Sequence, residues 1–297
     1  IAAFAMLVVW RAVPEERVDS ADKRMDYRGV GVLSLGVVCV LVALDEGPSD
    51  GFGQPWILGL LAVGLVALAS FLFVERSVGD RALVPRDVLQ NRLFARSCIV
   101  VLLMSAIFFS ALVFLPQLMQ KDLGFSALES GAGLLPMMLV FAVTSFVAGG
   151  LYDRLGARTV VSAGALFLGL GMVLLAGLMD DEGFWSLVPG MVVLGLGVGL
   201  FYSSITTTAV TALDAARSSL AGGIVYMCQI AGGAVGLGVN TAIVVSAEQL
   251  SDGIRNAFVL DAVLAAVGLV IVLRTLPRTG AAEHRPHLRH HHRAHAS

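Results

Sequence analysis

The chain reads as long apolar runs separated by short polar gaps. An apolar stretch at residues 1–10 comes first, and eight longer runs follow: 29–44, 56–74, 95–116, 129–151, 159–179, 185–208, 220–247 and 256–276. Crossing a bilayer as a helix takes about 20 predominantly apolar residues, and most of these runs are that long. The first is short, and would either tilt little or extend into its flanks. The runs are continuous rather than alternating, which argues against membrane strands. The pattern therefore predicts an all-α integral membrane protein, a polytopic bundle of eight full transmembrane helices. The opening stretch is too short to span and lacks the basic start and small-residue cleavage site of a secretory signal. It is expected to be the end of a helix that begins upstream.

The polar gaps predict orientation. Eighteen of the twenty Lys and Arg fall in alternate gaps, and only Lys121 and Arg255 fall in the others, whereas the acids divide evenly between the two sides. Basic residues, not net charge, set membrane topology. The base-rich gaps and the C-terminus are thus expected in the cytoplasm. The same pattern predicts the organisation: the end of a helix at 1–10, a cytoplasmic loop at 11–28, a two-helix insert with an interfacial linker at 29–94, a six-helix unit at 95–276 and a disordered tail at 277–297. The tail holds all six histidines among arginines. That composition fits a solvated basic tail near anionic lipid better than a transition-metal site.

Composition changes this picture little. Apolar residues make up 57% of the chain, charged residues 14%, and mean hydropathy is +0.84, a balance that lipid tolerates and water does not. Cys39, Cys98 and Cys228 each sit in an apolar run, with spacing that fits neither a metal site nor a disulfide framework. With no histidine outside the tail and no nucleotide-binding or zinc-protease motif, the residues argue against a membrane enzyme, a redox carrier or an ATP-driven pump. No metal, cofactor or nucleic-acid partner is expected.

Polar groups within the runs are the candidate chemistry, because burying them in lipid is costly. Asp261 is expected about five residues, roughly 7 Å, inside its helix, on a face shared with Ala257, Ala265 and Gly268. It would hold a cationic substrate or a proton, or else sit near the headgroups with Arg255 as its partner. Gln229 and Asn240 lie within the seventh run, and Gln117 and Gln120 are expected just past the third, at the outer mouth. These amides would contact a substrate, though for Asn240 an interhelical hydrogen bond is the stronger reading. Phe108, Phe109, Phe114 and Tyr202 would line an apolar cavity or pack between helices. The pairs Gly195/Gly199 and Gly232/Gly236 place small residues on one helical face, where neighbouring helices can approach closely.

One gap carries a recognisable signature. The stretch Gly149-Gly150-Leu151-Tyr152-Asp153-Arg154-Leu155-Gly156-Ala157-Arg158 resembles the G-x-x-D-R-x-G-x-R loop of the major facilitator superfamily. The surrounding residues Leu115-Pro116-Gln117, Gln120, Gly124-Phe125-Ser126, Gly131, Leu134-Leu135-Pro136, Gly222-Gly223, Gln229, Gly232-Gly233 and Gly236 are similar to its fourteen-helix drug:proton antiporter branch. So are the ladder Gly195, Gly197, Gly199 and the opening Val13-Pro14-Glu15-Glu16-Arg17.

The resemblance implies a partial major facilitator fold whose first half is absent, with helices seven to fourteen present. It implies proton-driven export of small apolar or cationic compounds, of the multidrug type, and eighteen arginines against two lysines with abundant Ala, Gly and Val point to a bacterial cytoplasmic membrane. The partners it implies are lipid, a small-molecule substrate, the proton and the other half of the polypeptide. It also implies a conformational latch of Gly150, Asp153, Arg154, Gly156 and Arg158. On the residues themselves, Gly150 and Gly156 are expected to supply the turn, and Asp153 is expected just ahead of the next helix, favoured by its dipole. An exporter of one endogenous metabolite and a non-transporting membrane module remain alternatives.

Overall fold

The computed structural model describes residues 54–78, 88, 90–179, 183–214 and 217–276, with scattered positions between 31 and 43. The expected helix end at 1–10, the loop at 11–28 and the tail at 277–297 lie outside the described residues, as does much of the insert at 29–94. Helix α1 (Pro55–Val78) comes first. Then follow α2 (Arg92–Lys121), the short α3 (Ala127–Gly133), α4 (Leu135–Leu155), α5 (Ala157–Leu178), a single 3-10 turn at Phe184–Ser186, α6 (Val188–Thr211), α7 (Ser218–Ser246) and α8 (Leu250–Thr275). Among the described residues six segments are long and apolar enough to cross a membrane, α3 and α4 counting as one.

Local chemistry sets the helix ends. Asn91 caps α2, its side-chain oxygen accepting from the amides of Leu93 and Phe94 at 3.1 and 3.2 Å. Its Nδ2 donates to the carbonyl of Ala212 at 2.6 Å, tying the start of α2 to the end of α6. Ser126 and Glu129 form a reciprocal capping box at the start of α3, which satisfies amides that would otherwise lack partners. Pro136 stands in the first turn of α4, where a missing N–H costs nothing. Two runs extend further than hydropathy predicts. Helix α2 continues through Pro116 to Lys121, and α8 starts six residues early, its first turns carrying an Asp252–Arg255 pair at 3.8 Å. Polar residues compatible with a helix lengthen both ends without raising hydropathy.

Packing follows a register. Helices α2 and α7 run parallel with an offset of 130 residues. Ser110 meets Asn240, a Cβ on Gly236 would fall on Ala106, and one on Gly232 would fall on the backbone of Leu102. One turn earlier Cys98 faces Cys228. This is a four-residue repeat, the ridge spacing on which helices interlock. Helix α6 is held similarly on both sides: a Cβ on Gly195 would approach the carbonyl oxygen of Met137 in α4 to 2.5 Å, and one on Gly171 of α5 would approach the amide of Leu194 in α6 to 2.7 Å.

The contacts also carry an internal symmetry. Exchanging α2, α4 and α5 with α6, α7 and α8 turns the α2–α7 contact into α6–α4, turns α5–α6 into α8–α2, and maps α5–α8 onto itself. Two triplets of three spans each have opposite senses across the membrane, so this is an inverted repeat. The register makes a prediction. Oxidation of the membrane-embedded chain with copper–phenanthroline should join Cys98 to Cys228, the two thiols that this register brings into contact, and should leave Cys39 as a thiol. Peptide mapping that links Cys39 to either cysteine would contradict the register.

Candidate functional site

Three helices meet at one buried polar junction. Asp261 of α8 and Ser110 of α2 are 0% exposed, and Asn240 of α7 is 1% exposed. The Asn240 Nδ2 donates to both Asp261 carboxylate oxygens at 3.0 Å and to the Ser110 hydroxyl at 2.9 Å. The Oδ1 of Asn240 is buried with no hydrogen-bond partner. Among the described residues no cation pairs with Asp261; Arg255 pairs with Asp252 instead.

Two expectations for Asp261 are therefore corrected. It stands eleven residues into α8, about 16 Å from the helix start, rather than five. The cause is the early start of α8. The Arg255 partnership fails because that arginine lies a turn and a half away and is engaged by Asp252. Asn240 makes an interhelical bond. Ser110 was not legible as a member of the site, since a serine in a helix commonly bonds its own preceding turn. The offset of 130 residues is what singles it out.

The loop signature is rearranged in a similar way. Gly149, Gly150 and Asp153 are helical, within α4. Gly156 alone reverses the chain, at φ 80°, and its amide donates to the Tyr152 carbonyl at 2.9 Å. Glycine adopts this backbone without strain, so Gly150 is not needed for the turn. Asp153 consequently lies in the last turn of α4, ahead of Gly156, and does not cap α5, which has no side-chain cap. Asp153 and Arg154 are exposed and Arg158 is half-buried, and among the described residues none of the three makes an ion pair. At the same end the Thr208 hydroxyl donates to the Tyr152 hydroxyl at 3.2 Å, joining α6 to α4.

The candidate amides do not form one site. Gln117 and Gln120 lie inside the last turns of α2, not past its end, because the helix continues through Pro116. Both are exposed. Gln229 is half-buried and, by the α2–α7 register, stands level with Ile99, about 27 Å along the axis from Gln117. The aromatics do cluster. Phe108 meets Tyr202, Phe109 and Phe141 with centroids 5.8, 5.9 and 6.1 Å apart. The Tyr202 hydroxyl donates to Ser105 at 3.2 Å. Phe114 is buried in the core. The glycine pairs face helices: Gly195 and Gly199 lie against α4, Gly232 and Gly236 against α2.

A model of the Major Facilitator Superfamily matches residues 97–296, six spans included. The chain belongs to the major facilitator superfamily. Similar proteins include the multidrug transporter protein MdtP of Bacillus subtilis, 31% identical over 69% of this chain and 38% of its own length. The puromycin resistance protein of Streptomyces alboniger is 30% identical over 87% of this chain and 50% of its own length. The tetracenomycin C resistance and export protein of Streptomyces glaucescens is 28% identical over 76% and 42%. The chain thus spans half or less of these curated relatives. Members of the superfamily are carriers, and this one is a multi-pass membrane protein.

In this facilitator chain the buried polar contacts differ in what supports them. Asn240→Leu leaves a buried carboxyl without its amide donor and should cost about 1–3 kcal/mol. Tyr202→Phe should cost about 1 kcal/mol or less, because the Ser105 hydroxyl still donates to the Val101 carbonyl at 2.7 Å. Denaturant unfolding in matched micelles checks this ranking; equal losses would contradict it.

Proposed function

We propose that this chain is the C-terminal portion of a proton-coupled exporter of small apolar or cationic compounds, in a bacterial cytoplasmic membrane. The observation that carries the reading is the six-span bundle of two matched triplets, similar over most of its length to proteins named for drug resistance and export. Such a unit rocks as a body against a second one around a midplane site. The face left open here suits that arrangement: Phe146 of α4 is 91% exposed and Val143 66%, so lipid or the other half of the polypeptide must cover them. The base-rich helix ends, and the C-terminus with them, lie in the cytoplasm. The multidrug transporter protein MdtP supports the multidrug form of this reading, and the puromycin and tetracenomycin C relatives a single-antibiotic form.

Within it, Asp153, Arg154 and Arg158 form the latch. They stand at the tight Gly156 turn, where α4 and α5 meet. Their charges are unpaired among the described residues, so they are available to acids and bases of the opposing half in one conformation. The carboxylate of Asp153 is placed against the negative end of its own helix, which leaves it better satisfied by an external partner than by α4. Phe108, Phe141 and Tyr202 form an aromatic wall suited to flat apolar substrates.

The test uses the complete reading frame that contains this chain, expressed in a host lacking its main efflux pumps. Asp153→Asn should lower drug efflux about tenfold at equal membrane abundance, the effect of one charge-assisted hydrogen bond of about 1.5 kcal/mol. Efflux that is undiminished at equal abundance would remove the latch, and efflux absent with every compound tried for the parent would remove the export reading.

A further inference from the structure

Asp261 is the single ionisable acid or base among the described residues that the fold buries completely. It lies near the middle of α8, with eleven residues before it and fourteen after. A charged group held at this depth is ordinarily paired with a group of opposite charge. Here the partner is instead the neutral Asn240 amide, which also donates to the Ser110 hydroxyl.

The surroundings hold no other titratable group. Helix α2 presents Ser110, and its Arg92, Arg96, Cys98 and Lys121 lie eleven or more residues away along the helix. Helix α7 presents Asn240; its Tyr226 and Cys228 are at least twelve residues back. Helix α5 packs on α8 with Gly169 against Ala262 and Ala265, and its Arg158 is at the far end. On α8 itself Asp252 and Arg255 pair with each other near the start, and Arg274 is in the last turn.

We propose that Asp261, Asn240 and Ser110 form a proton-binding site at the centre of this half, in which the Asn240 amide receives either charge state of the carboxyl. The chemistry of the amide permits this, since one end donates and the other accepts. With Asp261 ionised, Asn240 Nδ2 donates to the carboxylate, the arrangement observed. When a proton arrives from water at one membrane face, it forms an O–H bond on a carboxylate oxygen. The amide then turns over, and its Oδ1, which has no partner in the present arrangement, accepts from the new carboxylic acid and from the Ser110 hydroxyl. Release of the proton reverses both changes. A lysine or arginine in place of Asn240 would favour one state alone.

A proton suits the site better than an alkali cation. The site offers a carboxylate, one hydroxyl and one amide oxygen, fewer oxygens than the six or more with which proteins hold hard metal cations such as calcium. The switch also reaches the helix seam. The ionised state holds α8 to α7 by a charge-assisted bond and the protonated state by an ordinary one, roughly half as strong. Asn240 stands one turn beyond Gly236, where α7 lies against α2 with no room for a Cβ. This site deepens the proton-coupled reading and rests on it for its part in transport, but its titration can be measured without transport.

The experiment is infrared difference spectroscopy of the complete polypeptide that contains this chain, in lipid nanodiscs, titrated across the physiological pH range. Acidification should raise a carboxylic-acid carbonyl band that is lost in Asp261→Asn and moved in frequency in Asp261→Glu. Asn240→Ala should shift the midpoint of that band. A titration identical in the parent and in Asp261→Asn would overturn the proposal, as would a midpoint indifferent to Asn240→Ala. A parent spectrum that responds to sodium at fixed pH would also overturn it, in favour of an alkali-cation site. Efflux that proves independent of the proton gradient while the band persists would remove the transport reading and leave the site standing.

Discussion

The close approach of helix backbones is the constraint on which the rest of the structure depends. Lipid tails are as apolar as leucine, so nothing drives two membrane helices together except packing and the few polar bonds between them. Packing needs contact, and contact between backbones needs residues without side chains. Helix α7 supplies Gly232 and Gly236 where it meets Leu102 and Ala106 of α2. Helix α6, held between α4 and α5, has the same requirement on two faces. The main contacts accordingly repeat: the α2–α7 seam has its counterpart in α6–α4.

That seam also places the chemistry. An offset of 130 residues, repeated each turn, carries the α2–α7 contact from Cys98 and Cys228 through the glycines to Ser110 and Asn240. Helix α8 closes on the last layer and delivers Asp261. Were the backbones held farther apart, the amide would no longer reach both the hydroxyl on α2 and the carboxyl on α8. Tight apolar packing and a buried polar junction are thus parts of one arrangement. At the opposite end Asn91 and Tyr152 tie α2 to α6 and α6 to α4, leaving Asp153 and Arg154 at the Gly156 turn exposed.

What was legible in the sequence, and what was not, follows from these forces. Lipid imposes length and apolarity on every span, so the runs corresponding to α2 and α4–α8 could be read directly, as could the family to which they belong. Helix ends obey caps and single polar turns, to which hydropathy is blind, and so α8 begins six residues before its apolar run and α2 continues through Pro116. Gly150 and Gly156 look alike as letters, but one positive-φ residue suffices to turn the chain, and Gly156 is the one. Asp261 and Asn240 stood out individually because polar groups in lipid are rare. Their union with Ser110 depends on a register between helices distant in sequence, which no single run displays. Gln117 and Gln229 show the converse, two amides alike in sequence that the register separates by about 27 Å.

The most direct test of this account is the stability of two variants on one helix. A Cβ on Gly236 would fall on Ala106, whereas one on Gly223, three to four turns earlier, meets nothing within 4 Å. The account predicts that Gly236→Leu forces α7 from α2 and lowers unfolding stability in micelles by about 1–3 kcal/mol or more, while Gly223→Leu leaves it within about 0.5 kcal/mol. Equal stability of the two variants would contradict the claim that backbone contact along this seam holds the bundle together.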